Sequence, residues 1–464
     1  MSKDTPRGIV VLDVGATNTK VLLFDPELNV VAEESAPSAR YEGDPYLAID
    51  PAPILTLAAR VIPAFDRILP VDVVVPCTHG SAAALLDASG ACVLPIMDYN
   101  AEPPAAIVEA YAEAAPSFDE VCAPINPGGL TMARQLWWQA QDWPDAFART
   151  HRIVPFAQAL GHWLGGRAVS DVTSWGAQTH LWDVREGRPS SVARARGWDA
   201  LMAELVPAWE NVGHLSERYR GQGLRGRGEI LAGIHDSSAN FLRYAGSGLG
   251  RFALLSTGTW IIGFDAGADP SRLDPARDTA CGLTIEGKPV PICRFKGGEE
   301  YGLLAGAAPP PVLSDVAALI DRGVMALPNF TASGGPLPGP EGEITGAIDA
   351  AENCALAALY CAQMTVLALE AMSGEVPDRV VVDGPFSQNA AYMTILASLL
   401  SKSAVSGSTL REGTAAGAAL LGLVADQTGA LPALSISLAS AEPAQLGGLR
   451  AYHDTWRQAA AARV

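Results

Sequence analysis

A short turn near the start of the chain carries residue types suited to binding a phosphate and a metal ion. In IVVLDVGATNTKVLLFD (residues 9–25) two apolar runs predict strands, and between them stand Asp13, Gly15, Thr17, Asn18 and Lys20. We expect Gly15 to adopt a left-handed backbone, so that N–H groups and polar side chains converge on an anion. Asp13 ends a buried strand, where it is placed to hold a metal ion or its waters. An ordinary hairpin turn is the alternative.

A second segment, FALLSTGTWIIGFD (residues 252–265), repeats this design, with Thr257, Gly258 and Thr259 in the turn. A repeat on this scale predicts a duplicated domain whose second copy begins near residue 250. Two such turns, one in each domain, could hold a polyphosphate. Duplication of a scaffold without function is the alternative.

Four ionisable residues stand in predicted loops or at the start of a predicted helix. His79 follows the apolar strand predicted over residues 71–75, where α/β folds usually bind ligands, and Asp98 lies in another loop. His235 and Asp236 open an apparent helix in LAGIHDSSANFLRY (residues 231–244). A carboxylate at that position either serves a ligand or only stabilises the helix N-terminus.

The second half of the chain contains one further candidate nucleotide loop. A buried strand over residues 379–382 leads into DGPFSQN (residues 383–389) and then into a helix, an arrangement common at nucleotide sites. The small-residue helix over residues 415–421, opened by Glu412, is interpreted as structural. The remaining pattern predicts helices over residues 50–65, 132–141, 153–164 and 351–372, and a loop over residues 294–301. Together these elements indicate a mixed α/β fold, with the almost uncharged 351–372 helix at the centre of the second domain.

The composition excludes several classes of protein. A chain of 464 residues with 49% hydrophobic residues predicts two domains of comparable size. The net charge of −18 argues against nucleic acid or an anionic membrane as a partner. Seven scattered cysteines without a CxxC pair indicate reduced thiols, and the N-terminal MSKDTPRG lacks the pattern of a signal peptide. With no run long enough to suggest a membrane span, we expect a cytoplasmic protein.

These motifs occur in an order and spacing that resembles the FGGY family of carbohydrate kinases, across essentially the whole chain. The His-Asp-Ser helix start and Trp260 are most similar to the rhamnulokinase and fuculokinase branch, whereas Thr78-His79-Gly80 is similar to a xylulokinase pattern. The resemblance implies two RNase H-like domains of the actin and hexokinase superfamily, residues 1–245 and 246–464, flanking a central cleft. It also implies ATP-dependent phosphorylation of a sugar or polyol hydroxyl, with Mg²⁺.

The resemblance also implies a role for each candidate residue. Asp236 would be the catalytic base and Asp13 would position Mg²⁺. The residues expected to bind the phosphates are Thr17, Asn18, Lys20, Thr257, Gly258 and Thr259. The residues expected around adenine and ribose are Gly384, Ser387 and Asn389, and those expected to face the sugar are His79, Asp98, His235 and Asp236.

Three segments depart from the family pattern: the first puts the backbone approach to the nucleotide in question, and the other two leave the substrate open. Pro385 stands where a second glycine is usual, Met97-Asp98-Tyr99 replaces a Trp-Asn-Asp or Trp-Arg-Asp pattern, and Phe295-Lys296 replaces Asn-Glu. A catalytically silent relative that binds nucleotide or sugar is the competing hypothesis, and a carboxylate acceptor is a third. The retention of Asp13 and Asp236 favours an enzyme acting on a small sugar, with homodimer formation left open.

Overall fold

Two compact units make up the structure, a computed structural model that describes residues 7–41, 43, 45–221, 223–331, 334–409, 412–426, 429–432, 434 and 436–463. Unit 1 comprises Met1–Gly248, Cys281–Pro289 and Glu412–Leu434, and unit 2 comprises Leu249–Ala280, Val290–Arg411 and Ser435–Val464. The sequence predicts a single division between residues 245 and 246. In the structure the chain passes to unit 2 after Gly248 and returns to unit 1 twice.

The strands are β1 (Gly8–Val14), β2 (Asn18–Phe24), β3 (Val30–Pro37), β4 (Arg40–Tyr41), β5 (Ala48–Ile49), β6 (Val71–Thr78), β7 (Ala83–Leu86), β8 (Ile96–Met97), β9 (Arg152–Pro155), β10 (Val169–Ser170), β11 (Trp182–Asp183), β12 (Arg188–Pro189), β13 (Glu204–Leu205), β14 (Asn211–His214), β15 (Glu229–Leu231), β16 (Ile234–His235), β17 (Ala253–Thr257), β18 (Ile261–Phe264), β19 (Thr279–Leu283), β20 (Pro289–Phe295), β21 (Met325–Leu327), β22 (Glu343–Thr345), β23 (Arg379–Asp383), β24 (Ala404–Ser408) and β25 (Leu438–Ser440).

The helices are α1 (Pro51–Ile68), α2 (Ala105–Ala114), α3 (Phe118–Val121), α4 (Met132–Asp142), α5 (Pro144–Phe147), α6 (Phe156–Leu164), α7 (Val172–Trp175), α8 (Ser191–Ala195), α9 (Glu217–Arg220), α10 (Asp236–Ala245), α11 (Gly297–Ala305), α12 (Leu313–Arg322), α13 (Asn353–Ser373), α14 (Ala390–Leu399), α15 (Gly413–Asp426) and α16 (Leu449–Ala461), with short 3₁₀ turns at Pro270–Arg272, Pro275–Arg277, Ala350–Glu352 and Pro385–Gln388.

The main sheet of unit 1 has the strand order β14-β15-β6-β1-β2-β3, with β16 also paired to β6. Strands β1, β2 and β3 are antiparallel, whereas β1 and β6 are parallel, as are β6 and β15. The centre of β1 is apolar and fully buried because both faces of the strand are covered. The strands predicted within residues 9–25 and over residues 71–75 are therefore confirmed. Because β1 and β6 are parallel, they end at the same edge of the sheet.

The main sheet of unit 2 repeats this topology in the order β20-β18-β17-β23-β24-β25. Strand β17 pairs antiparallel with β18 and parallel with β23, as β1 does with β2 and β6. The sequence repeat thus corresponds to a structural repeat, and the predicted duplication is confirmed. It places the turn at residues 257–260 in unit 2 at the position that the turn at residues 14–18 has in unit 1.

Helix α13 is the core of unit 2, as its apolar composition predicts. The expectation that no run is long enough to suggest a membrane span is wrong, because Ala350–Ser373 is long and apolar enough to cross a membrane by length and composition. However, 94% of its most apolar window is buried inside the protein. Tyr360 within it packs against Phe330 and Trp456. A helix buried on all sides is expected to be apolar all round.

Two sequence predictions of local structure are wrong. The helix predicted over residues 153–164 begins only at Phe156, because residues 152–155 form β9 and pair with β7. β-Branched Ile153 and Val154 suit a strand better than a helix. The loop predicted over residues 294–301 is the end of β20 followed by helix α11, which begins at Gly297.

The buried His180 of unit 1 gives a pH-dependent prediction. Its Nε2–H donates to the Pro124 carbonyl at 3.0 Å, so Nδ1 accepts from the Tyr111 hydroxyl at 2.9 Å. Burial lowers the pKa of His180 to about 4. We expect ¹⁵N imidazole spectra to show a ring that is neutral at pH 7 and that takes up its proton only near pH 4.

The sign of the stability effect follows from the same shift. The unfolded chain binds this proton near pH 6.5, so the His180 contribution to folding is lost as the pH falls from about 6.5 to about 4. A ring that titrates near pH 6.5 in the folded protein would contradict this prediction.

Candidate active site

The turn between β1 and β2 exposes the predicted anion-binding side chains of unit 1. Thr17 and Asn18 are exposed, and the Gly15 N–H donates to the Asn18 carbonyl at 2.9 Å. The expectation that Gly15 takes a left-handed backbone is wrong, since Gly15 does not have a positive φ. The turn is closed by this hydrogen bond, which a residue with ordinary backbone angles can make.

Asp13 and Lys20 lie opposite each other on β1 and β2, at the same end of the sheet. Burial and the negative charges of Asp236 and Glu412 raise the pKa of Asp13 to about 7, and Lys20 opposes that rise. The Lys20 ammonium contacts Glu412 Oε1 at 2.6 Å and Glu33 at 4.0 Å. Three carboxyl groups and one ammonium group therefore interact here: Asp13, Asp236, Glu412 and Lys20.

Asp236 is the first residue of α10, and its carboxylate is held on one side. Oδ1 accepts from the Ser237 N–H at 2.5 Å and the Ser237 hydroxyl at 3.2 Å, and His235 Nε2 lies 3.1 Å from it. Among the residues that the structure describes, none hydrogen-bonds Oδ2. His235 occupies the N-cap position without a side-chain capping bond. Asp236 thus lies at a helix N-terminus, as predicted, but it is not the N-cap residue.

His79 and Asp98 join the same cluster from two other loops of unit 1. The His79 pKa is lowered mainly by burial, while the charges of Asp236 and Asp98 oppose that shift. Its Nδ1–H donates to the Gly80 carbonyl at 2.8 Å, which leaves Nε2 as an acceptor. Asp98 is buried, and it receives hydrogen bonds from Arg40 and from the Asn100 side chain at 2.9 Å. The structure therefore brings together all four residues predicted to face the sugar.

The corresponding turn of unit 2 is held by the start of helix α11. The Gly258 N–H donates to the Trp260 carbonyl at 2.8 Å, and the N–H groups of Gly298 and Glu299 donate to the Thr259 carbonyl. Gly258 and Thr259 are exposed. Thr257 is buried instead, and its hydroxyl donates to the Asp383 carbonyl at 2.5 Å.

The loop after β23 has a structural side and a cavity side. Gly384 has φ +84°, and a Cβ there would collide with the Thr257 backbone. The Ser387 hydroxyl donates to the Gly384 carbonyl at 2.8 Å. Asn389 caps helix α14 through the Tyr392 N–H and donates to the Tyr301 hydroxyl at 3.2 Å. Gly384 and Ser387 therefore shape the loop, while Asn389 reaches a cavity.

Two adjoining cavities lie in unit 2 beside these segments. One, of about 500 Å³, is lined by Tyr301, Ala308, Pro310, Pro311, Cys354, Pro385, Gln388, Asn389 and Ala390. The other, of about 400 Å³, is lined by Gly258, Thr259, Gly298, Glu299, Tyr301, Pro385 and Phe386. Tyr301 and Pro385 line both. Such volumes are typical of small-molecule sites.

Comparison with known proteins decides the family. Residues 249–431 match a sequence model described as carbohydrate kinase FGGY, C-terminal domain. The crystal structure of a carbohydrate kinase from Novosphingobium aromaticivorans is 30% identical, with a TM-score of 0.87 over 99% of each chain. The chain belongs to the FGGY family of carbohydrate kinases. Its units are the two RNase H-like domains of the actin and hexokinase superfamily that the resemblance implies.

Other sugar kinases are less similar in sequence. L-Fuculokinase from Escherichia coli (strain K12) is 24% identical over 287 residues, 59% of this chain and 60% of that protein. L-Fuculokinase from Salmonella typhi is 24% identical over 264 residues, 55% of each chain. The chain therefore aligns with little more than half the length of these curated relatives. The xylulose kinase from Rhodospirillum rubrum, 19% identical with a TM-score of 0.79 over 98% of each chain, shares the fold alone.

Sequence reasoning missed several residues of this FGGY kinase that the structure places at its candidate site. From the sequence, Glu412 is interpreted only as part of a structural helix. A charged residue directly before the glycine that opens this helix was the signal that could have marked it as a candidate. Arg40 gave no signal, because its pairing with Asp98 joins the two-residue strand β4 to a loop 58 positions further along the chain. Tyr301 and Gly298 were missed because the start of α11 was predicted to be a loop.

Proposed function

We propose that this protein transfers the γ-phosphate of ATP to a hydroxyl group of a ketose or polyol. The observation that carries the proposal is the Asp236 carboxylate, whose Oδ1 is held by His235 and Ser237. No described residue occupies the hydrogen-bonding positions of Oδ2. A carboxylate fixed through one oxygen and open at the other is arranged to accept a proton from a bound hydroxyl.

Asp236 acts as the general base of the proposed reaction. It accepts the hydroxyl proton as the oxygen bonds to phosphorus and the bond from phosphorus to the departing ADP oxygen breaks. A base of this kind contributes roughly 10²- to 10⁴-fold in rate. His79 presents Nε2 as an acceptor and so orients a second hydroxyl of the acceptor. Asp98, buried against Arg40 and Asn100, supports this wall of the site.

The nucleotide binds to unit 2 in this proposal. The cavity of about 500 Å³ takes the adenosine beside Asn389 and Pro385, and that of about 400 Å³ takes phosphates beside Gly258 and Thr259. Gly384 and Ser387 hold the loop in shape. Thr17, Asn18 and Lys20 bind the transferred phosphoryl group. Phosphoryl transfer depends mostly on such positioning and on charge neutralisation.

Mg²⁺ is the metal ion that the family implies, and the residues around Asp13 fit it. Within the described part of the chain, no group of three or more His, Cys, Asp or Glu side chains is arranged to hold a metal. Asp13 is instead a single carboxyl group beside the charges of Asp236 and Glu412. Mg²⁺ is usually bound through one or two carboxylates, waters and phosphate oxygens. Asp13 would hold the ion, which when bound neutralises phosphate charge.

The acceptor is a small polyhydroxylated molecule, and the relatives suggest which compounds to try. The curated relatives are L-fuculokinases, and the solved structures include xylulose kinases and a gluconate kinase. The cluster of His79, His235 and Asp236 suits hydroxyl groups, since each side chain has a hydrogen-bonding atom to offer. We place the reaction in the cytoplasm, where ATP and free sugars are both present.

The test is ADP release from Mg-ATP in the presence of a panel of acceptors. The panel contains L-fuculose, L-rhamnulose, xylulose and other ketoses, polyols, and gluconate as the acidic member. We expect one class of ketose or polyol to stimulate ADP release well above the rate without an acceptor. ATP binding without stimulation by any acceptor would favour a silent relative. The absence of ATP binding would reject the proposed nucleotide site as well.

A further inference from the structure

The Lys20 side chain is held by an acid that comes from the far end of the chain. Lys20 lies on β2, and its Nζ donates to Glu412 Oε1 at 2.6 Å, although 392 positions separate the two residues. Both side chains are partly exposed, 31% for Lys20 and 23% for Glu412. A second acid, Glu33, lies 4.0 Å from the same ammonium and is 40% exposed. Glu412 is therefore the closer and less exposed of its two acidic partners.

Glu412 is fixed by the helix that it opens. It has φ +60°, and its carbonyl accepts from the Ala416 N–H at 2.9 Å, so α15 begins directly after it. Further along α15, Gly417 lies so near the Ala239 backbone that a Cβ would collide with it. Gly422 likewise packs against Ile9 of β1. Helix α15 thus contacts both α10, which starts with Asp236, and β1, which carries Asp13.

The contact leaves the ammonium able to bind another anion. A lysine ammonium has three N–H donors, and the hydrogen bond to Glu412 uses one. The side chain is otherwise long and flexible, and an oriented lysine loses less freedom when it binds a phosphate than a mobile one. The Glu412 carboxylate, 2.6 Å from the Lys20 ammonium, therefore holds Lys20 in position and leaves its other N–H donors for a second anion.

We propose that Glu412 is a positioning residue, which holds the Lys20 ammonium in place to receive the phosphoryl group of the nucleotide. The inference rests on the proposed function, in which Lys20 binds that group. In this proposal Glu412 acts on the phosphoryl group through Lys20, and its negative charge also acts on Asp13.

The experiment is a double-mutant cycle measured with Mg-ATP. We expect Glu412→Gln to lower kcat/KM for ATP about tenfold, and Lys20→Met to lower it at least as much. The double variant should be within about twofold of Lys20→Met alone, because Glu412 has nothing left to position. Glu412→Asp should recover part of the loss. Glu33→Gln is the matched control and should stay within about twofold of the wild type.

A structural role confined to helix α15 would give a different result. The losses from Glu412→Gln and Lys20→Met would then multiply in the double variant, and that outcome would overturn the proposal. Unchanged kinetics in Glu412→Gln would overturn it too.

A second measurement does not depend on turnover. The chain has five lysines, so the ¹⁵N ammonium signal of Lys20 can be assigned in lysine-labelled protein by comparison with Lys20→Met. We expect Glu412→Gln to shift that signal and Glu33→Gln to leave it nearly in place. A shift in a protein that phosphorylates no acceptor would mean that the proposed function has failed while the pairing stands. In that case the double-mutant cycle of Glu412→Gln and Lys20→Met is measured on the Kd for Mg-ATP. The effects of the two substitutions on that Kd should again be non-additive. No shift would overturn the positioning role itself.

Discussion

Asp236→Asn should lower kcat by at least about a hundredfold while ATP and acceptor still bind. Asparagine keeps the size of the side chain. It also keeps an oxygen that can accept from the Ser237 N–H, which donates to Asp236 Oδ1 at 2.5 Å in the structure. It removes the negative charge and, with it, the ability to take a proton from the acceptor hydroxyl. Steady-state kinetics with the acceptor found in the panel would give kcat and KM separately. We expect the loss to fall on kcat.

The competing role of Asp236 is stabilisation of the α10 N-terminus. At the first position of a helix the charge of an aspartate is worth roughly 0.3–1 kcal/mol, so Asp236→Asn should change the melting temperature little in either case. Asp50→Asn is a matched control, because Asp50 caps α1 in the same unit by accepting from the Ala52 N–H at 2.9 Å. We expect it to leave kcat unchanged. An Asp236→Asn variant with the turnover of the wild type would remove Asp236 from the mechanism.

The elements that carry the site could be predicted from the sequence because their signals are local. Strand β1, the turn after it and its repeat at β17 each occupy one short stretch with its own apolar pattern and turn residues. Asp236 was likewise found beside a local helix-start pattern. These predictions required no knowledge of which segments meet in space.

The partners of those residues could not be predicted in the same way. Glu412 reaches Lys20 only because α15 returns to unit 1 after the chain has formed most of unit 2. Arg40 reaches Asp98 through the short sheet of β4, β5 and β8, whose strands have two residues each. Strands of that length carry no periodic signal. The boundary of α11 was missed for a related reason, since two glycines at a helix start read as a loop.

Gly298→Ala should weaken nucleotide binding at least about tenfold, equivalent to about 1.4 kcal/mol. A Cβ at Gly298 would lie far inside contact distance of the Gly258 carbonyl oxygen, and it would also approach the Thr259 Cα. Both neighbours are backbone, so neither can rotate away as a flexible side chain would. The start of α11 and the turn at residues 257–260 must then separate, at a cost of roughly 1–3 kcal/mol. That turn lines the cavity proposed for the phosphates.

Gly302→Ala, four residues further along α11, separates this effect from a general change in the helix. A Cβ at Gly302 would meet no described atom within 4 Å apart from its chain neighbours and the backbone of its own helix, and alanine is favoured over glycine inside a helix by about 1 kcal/mol. We expect Gly302→Ala to bind Mg-ATP like the wild type in isothermal titration calorimetry and to melt at the same or a higher temperature. If Gly298→Ala also bound Mg-ATP like the wild type, the turn at residues 257–260 would not contact the nucleotide. The phosphates would then have to bind elsewhere in the protein.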